Sequence, residues 1–142
     1  MCIGNKYGGD DGVGPYIAAQ LKNNNSTYSV LNCETIPENY TSYVKLNNPK
    51  KLIIIDAAEM NLKPGEIRII TKEKIGVMHI STHGIPISIL IKYLEQYVKN
   101  IVFIGIQPKT MSGKISKEVK KSGDDLIEII KNKKIDRIKL LD

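Results

Sequence analysis

Asp11, Asp56 and His83, with Asp10 beside the first of them, are the residues of this sequence whose types could do chemistry together. Two carboxylates and an imidazole can ligate a borderline divalent ion such as Ni²⁺ or Zn²⁺ and leave positions open for water or substrate. The same groups can act as general acid and base. Their spacing is non-local and does not choose between these chemistries. Each also has a plainer reading. Asp11 precedes Gly12 and could serve as a turn or helix-cap residue. His83, between Thr82 and Gly84 and shortly before Pro86, could cap a helix start. Asp56 is harder to dismiss, because it closes an apolar run, and a carboxylate bordering a low-dielectric core needs a partner. His79 sits inside an apolar run and reads as a packed or edge residue. Asp10 is expected to raise the pKa of one member of the set by like-charge repulsion.

Other chemistries find no support. The glycine-rich stretch 4–12 lacks the Gly-x-x-x-x-Gly-Lys-Ser/Thr pattern, and its paired aspartates would repel phosphate. There is no Rossmann fingerprint and no Gly-x-Ser-x-Gly elbow. Cys2 and Cys33 have no partner by spacing and read as small hydrophobes in strands.

The elements that must position these residues follow from an alternation of short β-branched runs with helical patterns. A strand ends at residue 3, and a helix opens at Gly14-Pro15, with Ile17, Ala18 and Leu21 on one face. Asn23, Asn24 and Asn25 stop it. Strands are expected over 28–33, 51–56, 66–70 and 100–106, with a further strand or extended segment over 77–80. Helices are expected over 40–46, 86–98 and 116–131, the last kinked or interrupted at Ser122-Gly123. The consecutive apolar residues 52–55 and 101–104 suit strands covered on both faces. The pattern predicts a single domain over 1–142: a three-layer α/β sandwich, with a mostly parallel central sheet and helices on both faces. Open parallel sheets bind ligands outside the carboxyl ends of their strands. Asp11, Asp56 and His83 each follow or close a predicted strand, so all three fall on that edge.

The chain of 142 residues carries 21 Lys and Arg against 15 Asp and Glu, a formal net charge of +6. The lysines run from Lys6 to Lys139, and the only arginines are Arg68 and Arg137. With no Trp and one Phe, and few guanidinium groups for bidentate phosphate contacts, the positive charge reads as a solvated surface, not a nucleic-acid interface. The apolar runs are too short to span a bilayer. Two cysteines without a disulfide framework or secretory signal point to the cytoplasm.

Five segments together resemble the hydrogenase maturation protease family, specifically the branch that processes formate-linked and energy-converting nickel-iron hydrogenases. They are Ile3-Gly4-Asn5 with Gly9-Asp10-Asp11-Gly12-Val13-Gly14-Pro15; Pro37-Glu38-Asn39; the block 52–60 with 62–68; Ser81-Thr82-His83-Gly84-Ile85-Pro86; and Gly105-Ile106-Gln107-Pro108. They stand in order over nearly the whole chain. Relatives have a longer first strand, so the start at Met1 looks clipped.

The resemblance implies an endopeptidase, of aspartyl type, that makes one cut near the C-terminus of a hydrogenase large-subunit precursor after nickel insertion. It implies Asp11, Asp56 and His83 as the metal-binding triad and the catalytic set. The nickel is then supplied by the precursor, with another divalent ion an alternative occupant of the isolated protein. Two other readings stay open at this level: a nickel-checkpoint protein that holds the precursor without cutting it, and a metal-dependent hydrolase of a small substrate.

Overall fold

The computed structural model describes residues 1–23, 27–78, 81, 82 and 84–142. Strands β1 (Cys2–Ile3), β2 (Asn32–Glu34), β3 (Lys51–Ala57), β4 (Ile67–Ile70), β5 (Ser81–Thr82), β6 (Ile85–Pro86) and β7 (Asn100–Ile106) alternate with helices. The helices are α1 (Val13–Asn23), α2 (Thr41–Asn47), α3 (Lys72–Met78), α4 (Ile87–Leu94) and α5 (Lys117–Lys131). Five strands form one sheet in the order β2-β1-β3-β7-β4. Its pairings are parallel except the last, where β4 runs antiparallel to β7. Strands β5 and β6 make a separate antiparallel pair.

The layers follow from the two-residue period of β3. Leu52 and Ile54 point into one core, with Val44 of α2, Ile75 of α3, and Ile87, Leu90, Ile91 and Leu94 of α4. Ile53 and Ile55 point into the other, with Val13, Ile17 and Leu21 of α1 and Val119, Leu126, Ile127 and Ile130 of α5. Strand β7 divides the same way, Phe103 to the first core and Ile104 to the second. Both faces of the sheet are therefore apolar and covered, the arrangement that parallel strands require. The result is the three-layer α/β sandwich the pattern implies.

The elements differ from expectation in four places. Residues 77 and 78 end α3 instead of beginning a strand, and Val77 is 71% exposed. Ile75, Val77 and Met78 imitate a strand run, but only Ile75 is buried there. Residues 79 and 80, with His79, lie outside the described residues. The second strand spans Asn32–Glu34 only, because Leu31 and Cys33 carry its packing while Tyr28 and Val30 belong to a loop at the other core. Helix α4 ends at Leu94, although Val98 beyond it is buried as expected.

The fourth difference is that α5 runs through Ser122-Gly123 without a break. Gly123 lets α1 approach: a Cβ there would stand 3.3 Å from both Tyr16 and Val13 side chains. Ser122 Oγ donates to the Glu118 carbonyl at 3.0 Å and to the carbonyl of Gly65. The pair is a packing device, not a kink.

Candidate functional site

Past β1 the chain folds back on itself within a few residues. Gly4 takes φ +146°, and a Cβ there would stand 1.9 Å from the Asp11 carbonyl oxygen. Gly14 is as restricted, since its Cβ would stand 2.1 Å from the Ile3 carbonyl oxygen. The loop is thus packed between the end of β1 and the start of α1. Within it, Gly9–Gly12 form a 3₁₀ turn whose residues are all buried.

This turn places Asp11 4% exposed beside the carboxyl end of the neighbouring β3. The Asn5 N–H donates to Asp11 Oδ2 at 2.8 Å. Asp56 lies near the end of β3, one residue beyond the Cys2–Ile55 register pair, and is 2% exposed. Its Oδ1 has no hydrogen-bond partner among the described residues. Burial pushes the Asp56 carboxyl well above the usual carboxylate range. The Asp11 carboxylate adds to that shift, and the Ala57 backbone opposes it. A buried acceptor left open next to a second carboxylate is unfavourable for folding alone and suits an incoming cation.

Asp10 does something different from what its position beside Asp11 suggests. It is fully buried, and its carboxylate faces the segment 109–116. Oδ2 accepts from Lys109 N–H at 2.7 Å, Thr110 N–H at 3.0 Å and Ser116 Oγ at 2.9 Å, while Oδ1 accepts from Ser116 N–H at 2.6 Å. Burial alone would raise its pKa, but these donors outweigh it and hold the carboxyl below the usual range. The like-charge repulsion expected between Asp10 and Asp11 acts instead between Asp11 and Asp56, because Asp10 is turned away and satisfied. Ser116 also N-caps α5, accepting from Val119 N–H at 3.4 Å. Asp10 therefore ties the Asp11 turn to the loop before α5.

Gln107 fixes the other side. It is 3% exposed at the carboxyl end of β7. Its Oε1 accepts from Met60 N–H at 2.7 Å and Leu62 N–H at 3.2 Å, and its Nε2 donates to Glu59 Oε1 at 2.9 Å. These bonds set the chain that leaves β3 after Asp56. Glu38, on the 3₁₀ turn Pro37–Tyr40, also has a buried oxygen, Oε2, without a partner among the described residues. Sequence reasoning gave no role to Gln107 or Glu38. The signal for both was their place in the segments Pro37-Glu38-Asn39 and Gly105-Ile106-Gln107-Pro108 that carry the family resemblance.

The structure brings Asp11 and Asp56 together and places Asp10 behind them. His83 lies outside the described residues, between β5 and β6. Among the described residues no group of three His, Cys, Asp or Glu could hold a metal ion, so two carboxylates are the described part of the candidate centre. Neither cysteine offers a nucleophile. Burial raises both thiols, that of Cys33 to about 12. The described residues also contain no helix long and apolar enough to cross a membrane.

Comparison with known proteins bears on what this arrangement does. Residues 15–133 match the family model described as hydrogenase maturation protease. The hydrogenase 3 maturation protease of Escherichia coli is 39% identical over 113 residues, covering 76% of this chain and 70% of that protein. The solution structure of an endopeptidase from Escherichia coli superposes with a TM-score of 0.92 at 29% identity, covering 99% of this chain and 94% of that one. The crystal structure of a [NiFe] hydrogenase maturation protease from Thermococcus kodakarensis gives a TM-score of 0.84 at 30% identity, covering 94% and 88%.

Proposed function

The chain belongs to the hydrogenase maturation protease family, a family of endopeptidases, and we propose that it removes the C-terminal extension of a nickel-iron hydrogenase large-subunit precursor once nickel is in place. The observation that carries this reading is Asp56: a carboxylate 2% exposed, with Oδ1 unpartnered among the described residues and Asp11 close enough to raise its pKa. Such a pair can ionise fully only when a cation joins it; otherwise it keeps a proton. Carboxylate oxygens and an imidazole suit a borderline divalent ion, so Asp11, Asp56 and His83 are the residues that would hold the nickel the precursor carries.

The metal is part of the substrate in this reading. Docking it on the two aspartates and His83 brings the scissile peptide to one place on the sheet edge, which replaces a search by a fixed geometry. It also makes cleavage conditional on nickel, because without the cation nothing anchors the precursor at the two aspartates. Asp10 and Gln107 keep the two carrying segments in place. Cleavage itself adds water across one peptide bond, giving a new C-terminus on the large subunit and a released peptide. The cytoplasm is the compartment this reading implies.

The test is the mass of the precursor before and after incubation with this protein. The nickel-loaded precursor is expected to lose one C-terminal peptide, and the nickel-free precursor to keep its mass. Binding of nickel-loaded precursor without any loss of mass would replace the peptidase with a checkpoint protein. Equal cutting of both forms would remove nickel from the recognition step.

A further inference from the structure

Beside Asp11 the surface opens into a groove that the docking of nickel leaves unused. It holds about 660 Å³ and runs between the loop after β1, the first turns of α1 and the segment 113–115. Lys6, Tyr7, Pro15, Tyr16, Lys114 and Ile115 line it. A smaller hollow of about 260 Å³ shares Lys6, Tyr7, Pro15 and Asn32 with it and reaches Asn5. Asn5 is the residue whose N–H donates to Asp11 Oδ2 at 2.8 Å, so one end of the groove lies against the aspartate centre.

Both walls are held before anything binds. On one, Asn5 Oδ1 accepts from Tyr7 N–H at 2.9 Å, and Gly8 N–H donates to the Asn5 carbonyl at 3.0 Å. The other is tied to the Asp11 turn: Gly9 N–H donates to the Gly113 carbonyl at 3.1 Å and Asp10 N–H to the Thr110 carbonyl at 2.8 Å. Tyr7 is nonetheless 78% exposed, with Lys6 Nζ 5.0 Å from its ring centre. An aromatic ring fixed by its backbone and left open to water suits contact with a partner at low entropic cost.

The charge of the groove is unmatched as well. Neither Lys6 nor Lys114 forms an ion pair among the described residues, and the remaining residues, 24–26, 79, 80 and 83, include no Asp or Glu. Lys109, by contrast, is paired with Glu118 at 2.9 Å. Glu34, in the smaller hollow, is the one carboxylate among the lining residues. Two unpaired cations above a floor of Pro15 and Ile115 complement a chain that carries both carboxylates and apolar side chains. A trough of this size takes a few residues of one chain, not a folded surface.

We propose that this groove receives the C-terminal extension of the precursor as an extended acidic chain, its carboxylates pairing with Lys6 and Lys114 and its apolar side chains packing on Tyr7. The proposal rests on the peptidase reading above, which brings the scissile bond to the Asp11–Asp56 pair. The chain beyond that bond then leaves along the groove next to Asp11. The body of the large subunit, which holds the nickel, stays on the other side of the bond.

The experiment titrates a synthetic peptide of the extension sequence into the isotope-labelled protein and follows amide chemical shifts. The amides around Lys6, Tyr16 and Lys114 are expected to move. Both lysines are exposed, so substitutions there leave the core alone. Lys6→Glu with Lys114→Glu is expected to weaken binding by about 10-fold or more, and Lys6→Gln with Lys114→Gln by less. Added salt should weaken binding to the wild type more than to the Glu pair. The KM for nickel-loaded precursor should rise in the same order. Unchanged binding by the Glu pair would overturn the proposal. So would shifts confined to another face, or equal binding of a peptide whose acidic residues are replaced by Asn and Gln. A peptide that fills the groove of a wild type that never shortens the precursor would count against the peptidase reading and leave the groove assignment standing.

Discussion

At Asp56 the requirements of folding and of function oppose each other, and the opposition can be measured. Its carboxyl titrates well above the usual range in the folded protein because of burial and of Asp11. The folded state therefore holds a proton that the unfolded chain has released. Stability from this group is fully present below the unfolded carboxylate range and is lost as pH rises from there through the raised folded value. Asp56→Asn removes that loss. The metal-free variant is expected to melt at a higher temperature than the wild type at pH 7, with the difference shrinking toward pH 4. It is also expected to weaken engagement of nickel-loaded precursor by at least about 100-fold, since it removes what we propose is a direct ligand. Thermal melts across pH check the first outcome; a wild type that is the more stable at pH 7 would contradict it.

Asp10 carries the opposite sign. Its folded carboxyl is held low by donors from Ser116, Thr110 and Lys109, which outweigh its burial. Its contribution is present above the unfolded carboxylate range and is lost as pH falls through the lower folded value. Asp10→Ala strands several buried donors and is expected to cost on the order of 3 kcal/mol at pH 7. That loss should narrow in acid, as urea unfolding at pH 7 and pH 3.5 would report. A pH-independent loss would mean that packing, not charge, holds the loop. The placement of Asp11 and Asp56 at strand ends was legible from the sequence because each closes or follows a strand pattern. The partners of Asp10 were not, since they lie about 100 residues away and involve backbone N–H groups that no side-chain pattern announces.

Among the elements, glycine marks where the site is compressed. A Cβ on Gly14 would stand 2.1 Å from the Ile3 carbonyl oxygen, whereas Gly76 in α3 meets nothing within 4 Å. Gly14→Ala is expected to cost about 3 kcal/mol or more by forcing α1 off β1. Gly76→Ala is expected to gain about 0.5–1 kcal/mol, the ordinary helix preference for alanine. Chemical denaturation of both variants tests the pair; equal effects would contradict the packing described.

The same contrast explains what could be read in advance. Strands β3 and β7 announce themselves because both faces are buried, so nearly every residue is apolar. Helix α3 has no clear signal in the sequence, because the apolar and β-branched residues at its end imitate a strand while Val77 is exposed. The antiparallel direction of β4 had no signal either. It pairs with β7, and its outer side is covered by the C-terminal segment, where Ile69 N–H donates to Lys139 and Leu141 N–H donates to Ile69.

For the whole molecule, the sheet acts as a frame that brings segments far apart in sequence to one edge. Asp11 arrives from the loop after β1, Asp56 from β3, and Gln107 from the end of β7. Shape similarity to proteases of this family extends over nearly the whole chain, so the frame is shared and not only the motif segments. Apart from Lys6 and Lys114, the lysine-rich surface needs no further role in this account; its net charge of +6 is spread along the chain.

The central claim is that Asp11, Asp56 and His83 act together on one nickel ion. Crystals soaked in a nickel salt and measured on either side of the nickel absorption edge test it most directly. The expected result is one strong anomalous peak with an oxygen of Asp11, an oxygen of Asp56 and a ring nitrogen of His83 each at roughly 2.0–2.2 Å. The peak should vanish in Asp56→Asn. A nickel peak elsewhere on the molecule, with the Asp11–Asp56 pair left unliganded, would contradict it.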